Sequence, residues 1–260
     1  MKDFIKRLGH DTINCFIYIG GVFHLFVSTL FRVFVPPFKA RELFAQMYKV
    51  GVLSFPIVFL VSLFTGMVLA LQSAYQLTKM NAQIYISSLV ALSMVRELGP
   101  VLTALVVAGR VGASITAELG TMKVTEQIDA LETLAANPVK YLVVPRFIAL
   151  CLMLPLLTVY ADFIGIVGGY IIGVYKLLIG STIYIQMTFD PLVFKDVFSG
   201  LLKSFIFAII ICIISCYEAF KTEGGAEGVG KSTTLSVVTS FILIIAADCL
   251  FTALFYFVFP

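Results

Sequence analysis

Residues Ala91–Ala117 read ALSMVRELGPVLTALVVAGRVGASITA, and residues Thr125–Pro138 read TEQIDALETLAANP. The first stretch is apolar and exceeds the ~20 residues a helix needs to cross a bilayer. It nevertheless carries Arg96, Glu97 and Arg110. An ionisable side chain at the centre of a membrane helix costs about 2.5–3.5 kcal/mol on insertion scales. Three in one span point to a polar function inside the membrane. The second stretch is acidic and too short to span, so it lies outside the bilayer.

The rest of the chain agrees with a membrane setting. Of its 260 residues, 60% are hydrophobic and 13% are charged, and the mean hydropathy is +1.03. This composition excludes a soluble domain and predicts an all-α integral membrane protein. The net charge of +3, with no basic tract, argues against a nucleic-acid partner. The five cysteines all lie in apolar segments and read as small packing residues, not as a disulfide or zinc framework. His10 and His24 are too isolated for a metal centre, and no hydrolase or metalloprotease motif occurs.

Five segments are predicted to span: 50–71, 84–117, 147–175, 204–220 and 234–258. A sixth apolar stretch, Thr12–Val35, carries Asn14, His24 and Arg32. Lys2, Lys6 and Arg7 precede it, and Lys39, Arg41 and Lys49 follow. Spanning would put these basic clusters on opposite sides, against the positive-inside tendency. The stretch is therefore expected to lie in the interface. It has no signal-peptide cleavage site and is expected to be retained. The Pro36-Pro37 break then leads into a short amphipathic connector over 39–48. The layout is a single domain, an interfacial region over 1–49 and a five-span core over 50–260. Charge asymmetry puts the N-terminus inside and the C-terminus outside. The outer loop 176–200 is expected to lie on the membrane surface or to cap a cavity. No internal repeat is evident.

Arg96 and Glu97 stand beside Gly99-Pro100, where proline removes a backbone donor. A charged pair beside a kink suits a wet cavity or a ligand headgroup. Lys203, at a similar depth, either joins that cluster or snorkels to the headgroups. Asp162 and Asp248 read as lone structural carboxylates. Ala104, Ala108, Gly112, Thr116 and Gly120 form a row of small residues in span two, with Leu105, Gly109, Ala113 and Ala117 as a second row. Gly165, Gly169 and Gly173 form another in span three. Such rows bring helices close in lipid, and the faces of spans two and three are expected to pack together or across a dimer.

In the acidic helix, Thr125 reads as the N-cap, and Glu126 and Asp129 fall where the helix dipole favours acids. Ile128, Leu131, Leu134 and Ala135 make an apolar stripe, and Asn137-Pro138 ends the helix. Anionic lipid repels an acidic helix, so a soluble partner is the better match. Gly225–Ser232 fits the P-loop pattern GxxxxGK[ST]. It joins two spans without a preceding strand, so it reads as a flexible inner loop and not as a nucleotide site.

The run VRELGPVLTALVVAGRVGASITAELGTMKVTEQIDALETLAANPVKYLVVPR resembles the core of MlaE/YrbE-type permeases, the membrane subunits of lipid ABC transporters that work with MCE proteins. The likeness extends through KVGVLSFPIVFLVSLFTGMVLALQ and GGAEGVGKSTTLSVV, nearly all the chain beyond Leu43. The resemblance implies five transmembrane helices, an N-terminal elbow helix and a cytoplasmic coupling helix between spans two and three. It implies an inner-membrane homodimer with a cytoplasmic ATPase, a periplasmic MCE-domain protein and, in some cases, a STAS-domain protein. No cofactor is expected in this chain, since ATP and Mg would bind the ATPase. The implied cargo is phospholipid moving between inner and outer membranes. Arg96, Glu97 and Lys203 would line the lipid cavity, with Leu69, Gln72, Tyr75 and Leu77 from span one. Thr125, Glu126, Ile128, Asp129, Leu131 and Glu132 would dock the ATPase. An ion-coupled carrier and a non-transporting scaffold are the alternatives.

Overall fold

The computed structural model describes residues 2–34 and 40–258. Pro36-Pro37 and Lys39 lie outside the described residues, as do the side chains of Lys2, Lys6, Arg7, His10 and Cys15. The described chain is helical, with no strand among its residues. Helix α1 spans Lys2–Val33, α2 Ala40–Val50 and α3 Phe55–Lys79. The next span is one helix in five pieces: α4 (Ile86–Ser93), a π-turn (Met94–Leu98), α5 (Gly99–Val107), a second π-turn (Ala108–Gly112) and α6 (Ala113–Val124). Then come α7 (Gln127–Thr133), α8 (Val144–Tyr175), α9 (Ser181–Phe189), α10 (Phe194–Phe220) and α11 (Gly225–Val258).

Among the described residues, six helical segments are long and apolar enough to cross a membrane: 12–33, 40–79, 83–124, 139–175, 194–220 and 225–257. The first is the stretch expected to lie in the interface; by length and composition it qualifies as a span like the others. The connector over 39–48 forms helix α2, and the span expected to end at Leu71 continues to Lys79.

Helix α8 occupies the centre. It packs against α2 and α3 along one flank and α5 and α10 along the other, while α11 packs on α10 and α6. Lipid tails are as apolar as leucine, so close backbone approach takes over the role of the hydrophobic effect. The α3–α8 crossing shows this. A Cβ on Gly66 would stand 1.8 Å from the Gly165 carbonyl oxygen, so only glycine permits backbone-on-backbone contact there.

The predicted small-residue rows are packing faces, but they do not meet each other. Ala104, Ala108, Gly112, Thr116 and Gly120 are buried. Their neighbours are on α10 and α11: Gly112 faces Ser215 and Ile211, and Gly120 faces Thr222. Thr116 Oγ1 lies 3.1 Å from the Ser215 carbonyl and 2.9 Å from Ser236 Oγ, tying three helices together. The α8 row instead faces Met94, Val90 and Tyr184. The span-two row serves α10 and α11, while the α8 row serves α4, the first π-turn and α9.

The connection after α8 holds α9, whose Tyr184 is buried against Gly173 and stacks edge-on with Tyr170 at 5.5 Å. Burial pushes the Tyr184 phenol up to about 12, so it stays protonated. Ser88 on α4 donates to the Met187 carbonyl at 2.6 Å. Helix α9 thereby packs on α4 and α8.

At the opposite end, Gly225–Lys231 forms the opening turns of α11 and not a loop. The left-handed φ of Gly224 (86°) and Gly225 (71°) makes the turn, and only a short link remains after α10. A helical Gly225–Ser232 cannot wrap a phosphate as a P-loop does.

Candidate polar cavity and docking helix

Pro100 has no N–H to offer the Arg96 carbonyl four residues back. The helix runs through this point as a π-turn, with the Gly99 N–H donating to the Met94 carbonyl five residues back. Such turns are rare and concentrate at functional sites. Here the turn sets Arg96 and Glu97 on α10. Gly200 permits this contact: a Cβ on it would stand 2.3 Å from the Val95 carbonyl oxygen.

Arg96 and Glu97 do not pair with each other. Arg96 donates through Nε to Asp196 Oδ1 at 2.8 Å, with NH2 2.7 Å from the same oxygen. Asp196 Oδ2 accepts the Val193 N–H at 3.1 Å, so the carboxylate also caps the start of α10. Lys203 is 1% exposed. Its Nζ donates to Glu97 Oε2 at 2.8 Å, Thr252 Oγ1 at 2.8 Å and the Arg96 carbonyl at 3.1 Å. Asp248 Oδ1 lies 2.9 Å away, an ion contact off the hydrogen-bonding direction. Thr252 in turn donates to Glu97 Oε1 at 2.9 Å.

Lys203 therefore does not snorkel, and Asp248 is not alone. A charge-assisted hydrogen bond contributes about 1.5–3 kcal/mol. Two or three of them match the ~2.5–3.5 kcal/mol insertion cost of one buried cation. Asp162 behaves differently: its Oδ1 lies against Gly99 and has no hydrogen-bond partner.

Arg96, Glu97, Asp196, Lys203 and Thr252 line a cavity of about 660 Å3 with Val193, Lys195, Ser199, Phe255 and Tyr256. Its size falls in the range of ligand pockets, roughly 300–1,000 Å3. The lining combines charged groups with two aromatic rings, which suits an amphiphile. The four α3 candidates are not among the lining residues. Leu69 and Leu77 are half-buried against the α4–α9 cluster. Gln72 and Tyr75 are exposed, and Lys79 Nζ stands 4.2 Å from the centroid of the Tyr75 ring.

Asp196 and Thr252 were not among the predicted residues. Spacing holds a signal for both: Asp196 and Lys203 are seven apart on α10, and Asp248 and Thr252 four apart on α11. Each pair shares a helix face.

The helix expected to dock a partner is shorter than predicted. It runs Gln127–Thr133, and Ala135 (φ 56°) turns the chain before Asn137-Pro138 is reached. Thr125 is not its N-cap. It closes α6, with Oγ1 bonded to the Thr121 carbonyl at 2.8 Å, and Glu126 takes a left-handed φ of 59° between the helices. Of the apolar stripe, Ile128 is buried and Leu131 half-buried, while Leu134 is 78% exposed. Glu126, Asp129 and Glu132 are exposed; Asp129 pairs with Lys123 at 2.7 Å.

Arg110 lies on the second π-turn, toward the α7 end. It donates to Ser54 Oγ at 2.6 Å and the Lys49 carbonyl at 3.2 Å, fastening the α2–α3 junction.

Residues 43–254 match the family described as Permease MlaE. The chain is 46% identical over 250 residues to a probable ABC transporter permease protein of Rickettsia prowazekii, covering 96% of each chain. It is 44% identical over 239 residues to one from a Synechocystis strain, covering 92% of this chain and 91% of the relative. A third, from Porphyra purpurea, is 40% identical over 221 residues, covering 85% and 84%. With a buried charged cavity at one end of its bundle and an acidic helix at the other, the chain belongs to the MlaE permease family and is a membrane-embedded transporter permease subunit.

Proposed function

We propose that this chain is the membrane half of an ATP-driven phospholipid transporter of the bacterial inner membrane. Two copies form the permease, and a separate cytoplasmic ATPase supplies the work. An MCE-domain protein on the periplasmic side continues the lipid path toward the outer membrane, and a STAS-domain protein attends the ATPase. The observation that carries the reading is the cavity lined by Arg96, Glu97, Asp196 and Lys203 with Phe255 and Tyr256. Its charged lining suits a headgroup and its aromatic rings the start of an acyl chain. Each methylene kept out of water is worth about 0.8 kcal/mol, so a sheltered path lowers the barrier by many such increments.

The α7 end faces the cytoplasm in this reading. Helix α1 then lies along that face as an elbow, leaving five spans and a periplasmic C-terminus. Its contacts support this. Tyr18 donates to Glu218 Oε1 at 2.5 Å and meets the Tyr217 ring edge-on at 5.1 Å, both in the last turn of α10. It also packs on Val139–Val143, just before α8. Both neighbours belong to the α7 end.

Exposed Glu126, Asp129 and Glu132, with Leu134 beside them, make an acidic surface with an apolar edge for the ATPase. Photo-crosslinkers at Arg96 or Glu97 test the cavity. Capture of phospholipid there is expected; capture only on the outer face of α11 would overturn the assignment.

A further inference from the structure

We infer that a second pocket, at the α7 end of the span formed by α4–α6, binds a phosphate group through Arg110 and Lys49. The pocket has a volume of about 220 Å3 and is lined by Gln46, Lys49, Arg110, Ser114 and Glu118 over an apolar floor that includes Leu53. Arg96, Lys203 and Arg146 each have a carboxylate within 3.1 Å. Arg110 has none: its described partners are the Ser54 hydroxyl and the Lys49 carbonyl, both held through NH1. Nε and NH2 remain to bond an anion, and a planar guanidinium suits two phosphate oxygens.

The surrounding charge favours an anion. The nearby ionised groups are Lys49, Arg110, Arg146 and Glu118. Glu118 is shared, 3.1 Å from Arg146 and 3.6 Å from Lys49. Two lining cations, Lys49 and Arg110, against one carboxylate that Arg146 also neutralises leave a local surplus of positive charge. Ser114 and Gln46 add neutral hydrogen-bonding groups on the rim.

Size points to a group and not a whole ligand, because 220 Å3 is below the roughly 300–1,000 Å3 of complete small-molecule sites. The apolar side points to a lipid as the bearer of that phosphate. Leu53 is exposed, and Ile57, Leu60 and Phe64 continue its exposed face along α3. Their spacing of four, three and four residues forms one helical stripe. An acyl chain lying on this stripe puts its phosphate at Arg110. The inference rests on the chain being membrane-embedded and not on lipid being the cargo.

The test uses the full chain purified in detergent, with native mass spectrometry of retained lipid. Phosphatidylglycerol and diacylglycerol with the same acyl chains are supplied in equal amounts. The wild type is expected to retain phosphatidylglycerol over diacylglycerol. That preference persists in Lys176→Gln, an exposed lysine that lines neither cavity. In Arg110→Gln it falls about tenfold, the factor that follows from losing one charge-assisted hydrogen bond. Arg110→Lys restores part of it. If Arg110→Gln does not fold, the half-exposed Lys49→Gln carries the same comparison. Stabilisation by inorganic phosphate over chloride at equal ionic strength, lost in Arg110→Gln without any lipid preference, assigns the site to soluble phosphate. Equal retention of both lipids with no phosphate effect overturns the inference, as does a preference unchanged in both Arg110→Gln and Lys49→Gln.

Discussion

The two π-turns of the span formed by α4–α6 each present an arginine, and the two arginines meet opposite surroundings. Arg96 enters a closed network. Arg96, Lys195 and Lys203 stand with Glu97, Asp196 and Asp248, three charges of each sign, and Lys203 is buried among them. Arg110 enters an open one, bonded to neutral oxygens beside a half-exposed Lys49. Fourteen residues separate them, about 21 Å of helix at 1.5 Å per residue. That distance fits within a hydrocarbon core of ~30 Å. A balanced network fixes helix positions and shapes a cavity. An unbalanced one retains its attraction for a ligand.

The contrast fails first if Lys203 proves dispensable. Lys203→Met leaves Glu97 and Asp248 facing each other without their cation. Breaking a buried ion pair this way costs about 3–5 kcal/mol, measurable by denaturant unfolding in micelles. A loss under about 1 kcal/mol breaks the picture of a closed network, since that is the scale of exposed pairs.

Arg110→Gln is expected to cost less, about 1–2 kcal/mol, because two bonds to neutral oxygens are lost and no buried charge is stranded. A loss equal to that of Lys203→Met would erase the distinction between the two ends. Thr252→Val removes one hydroxyl that serves both Lys203 and Glu97. A loss of about 0.5–1.5 kcal/mol is expected in the same unfolding assay, and no change would show that water replaces the hydroxyl. Asp129→Asn breaks only the exposed pair with Lys123, so stability should shift by about 1 kcal/mol or less. The comparison sharpens if that variant weakens ATPase copurification without lowering stability.

Much of the fold is legible in the sequence because membrane spans are written in length and apolarity. The small residues of span two identify a packing face directly. Its partner is not legible, since α8 carries an equally good row and only three-dimensional packing sends one to α10 and α11 and the other to α4 and α9. The N-terminal helix is ambiguous for a related reason. Its composition allows a span, while its basic flanks argue for the interface. The site is half legible. Arg96, Glu97 and Lys203 stand out as charges in apolar helices. Their pairing does not, because Arg96 and Glu97 are adjacent in sequence yet take partners from α10 and α11. The π-turn that aims them follows from Pro100 only as a local disturbance, not as a specific geometry. At the acidic helix α7, local composition marks an exposed surface but misplaces the helix ends. Thr125 closes the preceding helix, and Ala135 adopts a positive φ that alanine seldom takes.

The central claim is that ATP hydrolysed in a partner chain drives lipid through this permease. The most direct measurement is movement of labelled phospholipid in proteoliposomes holding the permease and its ATPase. Flux should require ATP hydrolysis and vanish in Glu126→Lys/Asp129→Lys, whose docking surface is charge-reversed, while the variant stays folded. Flux that continues without the ATPase and collapses with the proton gradient would contradict the account and move attention to the unpartnered carboxyl of Asp162.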